Sequence, residues 1–344
     1  MNTSFTLIES EIVVESLVKV YGLSVIKLVS RMLKKACHQL RHNDIGFNVL
    51  DDVIDTLRFR GSIFFHSSLA APWGMLLPAL PLPRFHIALE GAFYIGADDD
   101  EVAVEPMDIV MLPDGGMHWI ADEVNRELVP SERASEACEL DRPLFQQGDI
   151  TNRVMCGVVE YEHAISHPII SALPSICHFS NIQHNDSIWI TVRQIDTEIA
   201  RSQSKKSAII DRLTEVLFIQ LLNQYVSENN FLSGFLAALH DPGVNRVLQL
   251  IHKNPEKHWS LDGLGKEVGM SRATLQRKFK AALDASPIAY LSHWRLTKAY
   301  QLVKHSNLTF DAIADKIGLS DARTLRTAFQ RRYGITPNEL RKSK

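Results

Sequence analysis

Cysteine is scarce in this chain of 344 residues, which holds only Cys37, Cys138, Cys156 and Cys177. No two of them stand in C-x-x-C spacing, so a zinc-ligand cysteine set is excluded and reduced thiols in a cytoplasmic protein are expected. Long apolar runs are missing too. The stretch nearest the N-terminus, Ile12 to Leu33, is broken by Glu15, Lys19, Lys27 and Arg31 and carries no small-residue cleavage site. Neither a signal peptide nor a membrane span is expected there, and hence no membrane partner. A nucleophile triad and a phosphate-binding glycine loop are also lacking, so the sequence points to no nucleophilic or phosphoryl-transfer chemistry, and no cofactor is expected.

What is present begins with size and charge. The length exceeds one ordinary core and suggests two domains with a helical connector. A net charge of −3 conceals an asymmetry: residues 241–344 hold 19 Lys and Arg against 9 Asp and Glu, whereas residues 1–240 hold 18 against 31. A basic C-terminal part on an acidic body is the distribution of a chain in which one domain meets phosphates.

The basic part contains one short pattern twice. The first copy runs from Ser260 to Ser271 and on to Leu275 and Phe279; the second runs from Thr309 to Ser320 and on to Leu325 and Phe329. In the first, Leu261, Leu264 and Val268 make the buried face of a helix capped by Ser260. Gly269 ends that helix in the left-handed conformation, and Met270 plugs the corner. Ser271 then caps a second helix that shows Arg272, Ala273, Gln276, Arg277 and Lys280 outward. Gln reads adenine and Arg reads guanine bidentately in the major groove, so this is the composition of a recognition helix. The second copy shows Ala322, Arg323, Thr324, Arg326 and Thr327, with Arg331 and Arg332 placed for phosphates, as is Lys280. A long helix from Pro287 to His305 joins the two readers, with Tyr290 and Trp294 as packing residues.

These residues resemble the DNA-binding domain of the AraC/XylS family of bacterial transcription regulators. The resemblance rests on Trp259-Ser260-Leu261, Gly269-Met270-Ser271-Arg272, Ser286-Pro287, Trp294-Arg295, Gly318, Tyr333-Gly334 and Thr336-Pro337. It implies that the two recognition helices enter adjacent major-groove segments of double-stranded DNA. Ala273, Gln276, Arg277, Ala322, Arg323, Thr324 and Thr327 fall at the family's base-reading positions. The chain departs from the family at Leu319, where an aromatic is common, and at Leu325 and Thr327, where Phe and Arg are usual. Gly265 replaces the expected alanine, a change worth about 1 kcal/mol of helix stability. The first unit is therefore expected to carry most of the discrimination, with the second contributing more to phosphate anchoring.

Upstream, Leu50, Val53, Ile54 and Leu57 have helical spacing, and short alternating runs fill Ser62 to Cys177, punctuated by Pro, Gly and Asp. Asp122 to Asp149 is polar and reads as a loop. The segments around His86 and His118 are similar to the two motifs of a cupin barrel. The resemblance implies a pocket facing Arg84, His86, Glu90 and His118. Three readings of these residues stand open: a pocket for an organic effector, a divalent metal site, and packing alone; no metal is assigned. Trp73, Phe93 and Trp119 are lining or core residues. Two helices follow, one carrying Ile188, Val192, Ile195 and Ile199, the next Ile210, Leu213, Leu217, Leu221 and Tyr225. They pack on their own domain or form the seam of a homodimer.

The expected fold is a multidomain α+β chain: a cupin-like antiparallel β-barrel, a helical connector and an all-α tandem helix–turn–helix domain. Residues 1–49 are an unassigned extension, 50–185 the sensor, 186–235 the connector and 236–344 the DNA-binding domain. The expected function is a DNA-binding transcription regulator responding to a small molecule. Activation is the commoner role for this architecture, and it would add RNA polymerase as a partner. The alternative is a cupin-type metal-dependent enzyme with a DNA-binding tail.

Overall fold

The computed structural model describes residues 48–98, 100–139, 144–161, 168–202, 207–228 and 234–343. The expectations for residues 1–45 and for Cys37 lie outside this set. Residues 49–344 form one compact unit. No helix among the described residues is long and apolar enough to cross a membrane.

The unit opens with α1 (Val49–Leu57), whose apolar face Val49, Leu50, Val53, Ile54 and Leu57 is buried. Among the described residues ten strands follow, in two five-stranded sheets. One sheet has the order β1 (Arg60–Ala70), β9 (Ile150–Glu160), β3 (Arg84–Glu90), β6 (Ile109–Leu112), β10 (Cys177–Phe179). The other has the order β5 (Asp100–Val104), β4 (Phe93–Ala97), β7 (His118–Ala121), β2 (Gly74–Leu77), β8 (Val129–Pro130). The strand runs read from alternation around Phe64, Ile87, Ile95 and Val110 fall in β1, β3, β4 and β6. All pairings are antiparallel except that of β2 with β8, which is parallel. Among the described residues no pairing joins the two sheets into a closed cylinder. A shared core holds them face to face, with Trp73, Phe93, Ile95 and Ile120 of one side against Ala88, Val110, Leu112 and Val154 of the other.

The polar segment after Asp122 is not a plain loop. It contains β8 and the helix α2 (Ser131–Glu139). Ala, Glu and Arg have high helix propensity, and Ala134 tucks into the core, which suffices for a short helix without an apolar stripe. After α3 (Pro168–Ser171) comes the connector hairpin, α4 (Ser187–Ser202) and α5 (Ala208–Glu228). Its buried stripes include Ile188, Val192, Ile195 and Ile199 on α4 and Ile210, Leu217, Leu221 and Leu222 on α5. The hairpin packs on β1, so its inner face belongs to its own sensor.

The helical half is α6 (Gly234–His240), α7 (Pro242–Lys253), α8 (Leu261–Glu267), α9 (Arg272–Leu283), α10 (Pro287–His305), α11 (Phe310–Ile317), α12 (Ala322–Tyr333) and α13 (Pro337–Lys342). Part of the segment expected to be a linker, near Asn229 to Asp241, is therefore helical. Capping explains most of the starts. Asp241, Ser260, Ser271, Ser286, Thr309, Asp321 and Thr336 each accept a backbone N–H of their helix's first turn. Helix α10 runs over the bounds expected from Pro287 and His305.

Candidate nucleic-acid interface and sensor core

In the first unit, α8 stops at a corner where Gly269 takes φ +65°, and α9 starts at Ser271, whose hydroxyl accepts the Thr274 N–H. Leu275 and Phe279 are fully buried and set the rotation of α9. Arg272, Ala273, Gln276, Arg277 and Lys280 all face solvent. The side chains of Gln276, Arg277 and Lys280 make no hydrogen bond or ion pair among the described residues. Arg272 lies 4.0 Å from Asp262, with both side chains about two-thirds exposed, a contact a phosphate displaces easily. Lys278, next to Arg277, is bound to Asp241 of the α7 cap at 2.7 Å, which ties α9 to the scaffold. Gly265 has a local reason: an added Cβ would lie 2.7 Å from the Met270 carbonyl, so the tight corner excludes alanine.

The second unit repeats the scaffold. Gly318 takes φ +73° and the Leu319 N–H closes on the Ala314 carbonyl at 2.9 Å. Asp321 caps α12 by accepting the Thr324 N–H at 2.7 Å. Leu325 and Phe329 are the buried pair. The outward set differs from expectation at one place. Ala322 is turned inward, 8% exposed, with its N–H donated to Asp311 at 3.1 Å. As the first residue after the cap it faces α11, so its side chain belongs to the corner and not to the outward face. Arg323, Thr324, Arg326, Thr327 and Arg331 are exposed, and Arg332 is half-buried over the Tyr333 ring. Several of these are occupied: the Thr324 hydroxyl bonds Ser320 at 3.0 Å, Thr327 donates to the Arg323 carbonyl, and Arg326 lies over Phe310.

The sensor residues divide. Arg84, His86 and His118 are buried between the sheets. His86 Nε2 and His118 Nε2 are 2.9 Å apart, and His86 Nδ1 is 2.9 Å from the Cys156 thiol. The hydrogen-bond roles follow from the end of the chain. The Gly116 carbonyl accepts only, so His118 Nδ1, at 2.8 Å, is the N–H. His118 Nε2 therefore accepts from His86 Nε2–H, and His86 Nδ1 accepts from the Cys156 S–H. Both imidazoles are neutral in this arrangement. Burial, with the Arg84 charge adding to it, holds His86 well below the usual histidine range. His118 is pushed down to about 4 by burial, against the opposing Gly116 carbonyl.

Glu90 is not in this cluster. A bulge between Ala88 and Glu90 interrupts the β3–β9 register and reverses the face on which Glu90 stands. Its carboxylate is exposed and pairs with Arg153 at 2.7 Å. Among the described residues no group of three or more His, Cys, Asp or Glu is placed to hold a metal. Trp73 and Phe93 are fully buried core residues, and Trp73 Nε1 donates to Asn152.

One constellation was invisible in the sequence. Asp52 of α1 accepts from His252 Nδ1 of α7 at 2.8 Å and from Lys298 of α10 at 2.6 Å. His252 Nε2 in turn meets the Tyr290 hydroxyl at 2.8 Å, and its ring lies 4.1 Å from Trp294. Burial alone would raise the Asp52 carboxyl, but the bonds from His252 and Lys298 outweigh it and hold the group below its ordinary value. This brace ties the helix before the sheets to the scaffold of the reader.

Residues 48–227 match the family model described as Cupin, and residues 264–343 match one described as Helix-turn-helix domain. The cupin match covers more than half of the chain and includes the connector hairpin. The HTH-type transcriptional regulator AlkR of Acinetobacter baylyi is 25% identical over 310 residues, covering 86% of this chain and 99% of that protein. The HTH-type transcriptional regulator MtrA of Neisseria gonorrhoeae is 27% identical over 311 residues, covering 86% and 98%. A putative AraC-like transcription regulator of Streptomyces lividans is 28% identical over 297 residues, covering 85% and 97%. The chain is an AraC-family transcription regulator with an N-terminal cupin domain. These three relatives match along both halves and are named as regulators, so the enzyme alternative falls. In this AraC-family chain the helix–turn–helix half binds DNA, and the cupin half is the part set aside for sensing.

Proposed function

We propose that α9 and α12 read two adjacent major-groove segments, with α9 as the main discriminator. The observation that carries this is the exposed pair Gln276 and Arg277 on the first turns of α9, behind a glycine corner and with side chains unpartnered among the described residues. Arg272 and Ala273 border them. Arg323, Thr324, Arg326 and Thr327 are the second set, and Lys280, Arg331 and Arg332 meet phosphates. Ala322 leaves the reading set because it is buried. Footprinting with Gln276→Ala and Arg277→Ala together tests the assignment; protection of the same site by the changed protein refutes it.

We further propose a cytoplasmic activator that responds to a small molecule and contacts RNA polymerase, divided at 50–185, 186–235 and 236–344 as the sequence suggests. A homodimer through the outer face of the connector hairpin fits Ile190, Ile209 and Val216, which stand exposed there. Sedimentation of the chain with Ile209→Lys and Val216→Lys tests it, a dimer being expected for the unaltered chain and a monomer for the variant. The His86–His118 pair supports a neutral polar contact inside the sensor rather than a metal ligand set, because every ring nitrogen already has a protein partner.

A further inference from the structure

Where α1 and the sheets meet the end of α10 there is a cleft of about 240 Å³. Arg58, Arg60 and Glu160 come from the sensor side; Gln301, Lys304 and His305 come from the last turns of α10. We propose that this cleft binds a small organic anion that also carries a hydroxyl, and that the bound anion clamps the sensor to the reader.

Charge is the first support. Three permanent cations, Arg58, Arg60 and Lys304, face a single carboxylate, Glu160. The Arg58 and Arg60 guanidinium groups make no hydrogen bond or ion pair among the described residues. Arginine presents a planar fork of donors suited to carboxylate or phosphate oxygens. Arg58 also holds φ +52° directly after α1, a place where glycine is the cheaper residue.

The second support is independent of charge. Gln301 is only 8% exposed, yet among the described residues neither its Oε1 nor its Nε2 has a hydrogen-bond partner. A buried amide left without partners is costly, so such groups call for an explanation. The Nε2 needs an acceptor, which an anionic oxygen supplies, and the Oε1 needs a donor, which a hydroxyl supplies. Hydroxycarboxylates and sugar phosphates share that pair of groups. The volume is below the ~300 Å³ at which ordinary ligand pockets begin, which restricts the occupant to a small one.

Position gives the consequence. Lys298 and Gln301 are three residues apart on α10 and so share a face. Lys298 reaches back to Asp52 of α1, and Arg58 follows the end of the same helix. An anion held by Arg58, Arg60 and Gln301 therefore adds a second tie beside the Asp52 brace. That consequence for DNA rests on the regulator reading; the binding itself does not.

Isothermal titration of the full chain with citrate, glycerol 3-phosphate and sulfate, at constant ionic strength and without DNA, tests the proposal. Citrate or glycerol 3-phosphate is expected to bind with one anion per chain, and sulfate, which has no hydroxyl, about tenfold more weakly. Arg58→Ala with Arg60→Ala should weaken binding by about tenfold or more. Gln301→Leu should remove the preference over sulfate while melting no lower than the unaltered chain, since it deletes two unpaired polar atoms. Absence of saturable binding by either organic anion up to about 10 mM overturns the proposal, as does unchanged affinity in the double Arg variant. Because no DNA is present, failure here is separate from failure of the DNA-binding assignment.

Discussion

In the first helix–turn–helix unit the side chains of Gln276, Arg277 and Lys280 stand exposed with no partner among the described residues, whereas in the second Thr324, Thr327 and Arg326 each hold a neighbour. The scaffolds that present them are alike: a capped helix, a left-handed glycine corner, a second capped helix and a buried pair of one aliphatic and one Phe residue. What differs is the freedom of the outward side chains. A free Gln or Arg forms bidentate bonds to a base without first breaking a protein contact, while a threonine bonded to its own backbone must give that bond up. On the proposed reading, two units built alike do unequal work, base reading by the first and backbone holding by the second.

The comparison breaks most visibly at the readers. Gln276→Ala with Arg277→Ala is expected to cost about 2–6 kcal/mol of discrimination between operator and random DNA, read by competition binding at fixed salt. Arg323→Ala with Thr327→Ala should cost less than half of that, and a larger loss in the second unit reverses the ranking. The corners differ next. An alanine at Gly269 meets nothing within 4 Å and suffers only its left-handed backbone, about 1–2 kcal/mol. At Gly318 the added Cβ would also lie 2.3 Å from the Glu256 carbonyl, adding about 1–3 kcal/mol. Chemical denaturation of the two variants gives the difference directly, and equal losses would mean that the second corner is no tighter than the first.

A pH scan sharpens the contrast between the open reader and the closed sensor core. His118 titrates at about 4 in the fold against 6.5 for a free histidine, so the unfolded chain takes up its proton first. Its contribution is complete above pH 6.5 and is lost as pH falls toward 4, by about 2–3 kcal/mol. Denaturation at pH 7 and pH 4.5 should show a shallower loss in His118→Asn than in the unaltered chain; parallel losses contradict the neutral chain from Cys156 to Gly116. The smallest effect is on salt dependence. Lys280→Ala or Arg331→Ala should each reduce the slope of log affinity against log salt by about 1, without changing site preference.

Local chemistry was the legible part. Pro287 after Ser286 and the glycine corners are signals carried within a few residues, and α10 and both readers lie where those signals put them. The strands around Ile87 and Val110 were readable by alternation. Glu90 was not, because alternation assumes an unbroken ladder, and the bulge before it moves the carboxylate to the other face. Ala322 was read as outward, and its burial is set by the approach of α11, which the sequence does not show. The Asp52–His252–Lys298 brace joins residues some 200 and 246 positions apart in the chain, and no periodicity carries such a pairing. Nor does any sequence signal show that Gln301 is buried without partners.

The central claim, a tandem reader led by its first unit, is tested most directly by selecting bound sites from a random DNA pool with the full chain. The account predicts two adjacent recognition segments, about one helical turn apart. Base preference should be strong in one of them and weak in the other, and the strong one should vanish with Gln276→Ala and Arg277→Ala. Equal preference in both segments, or a strong segment that survives that double change, contradicts it.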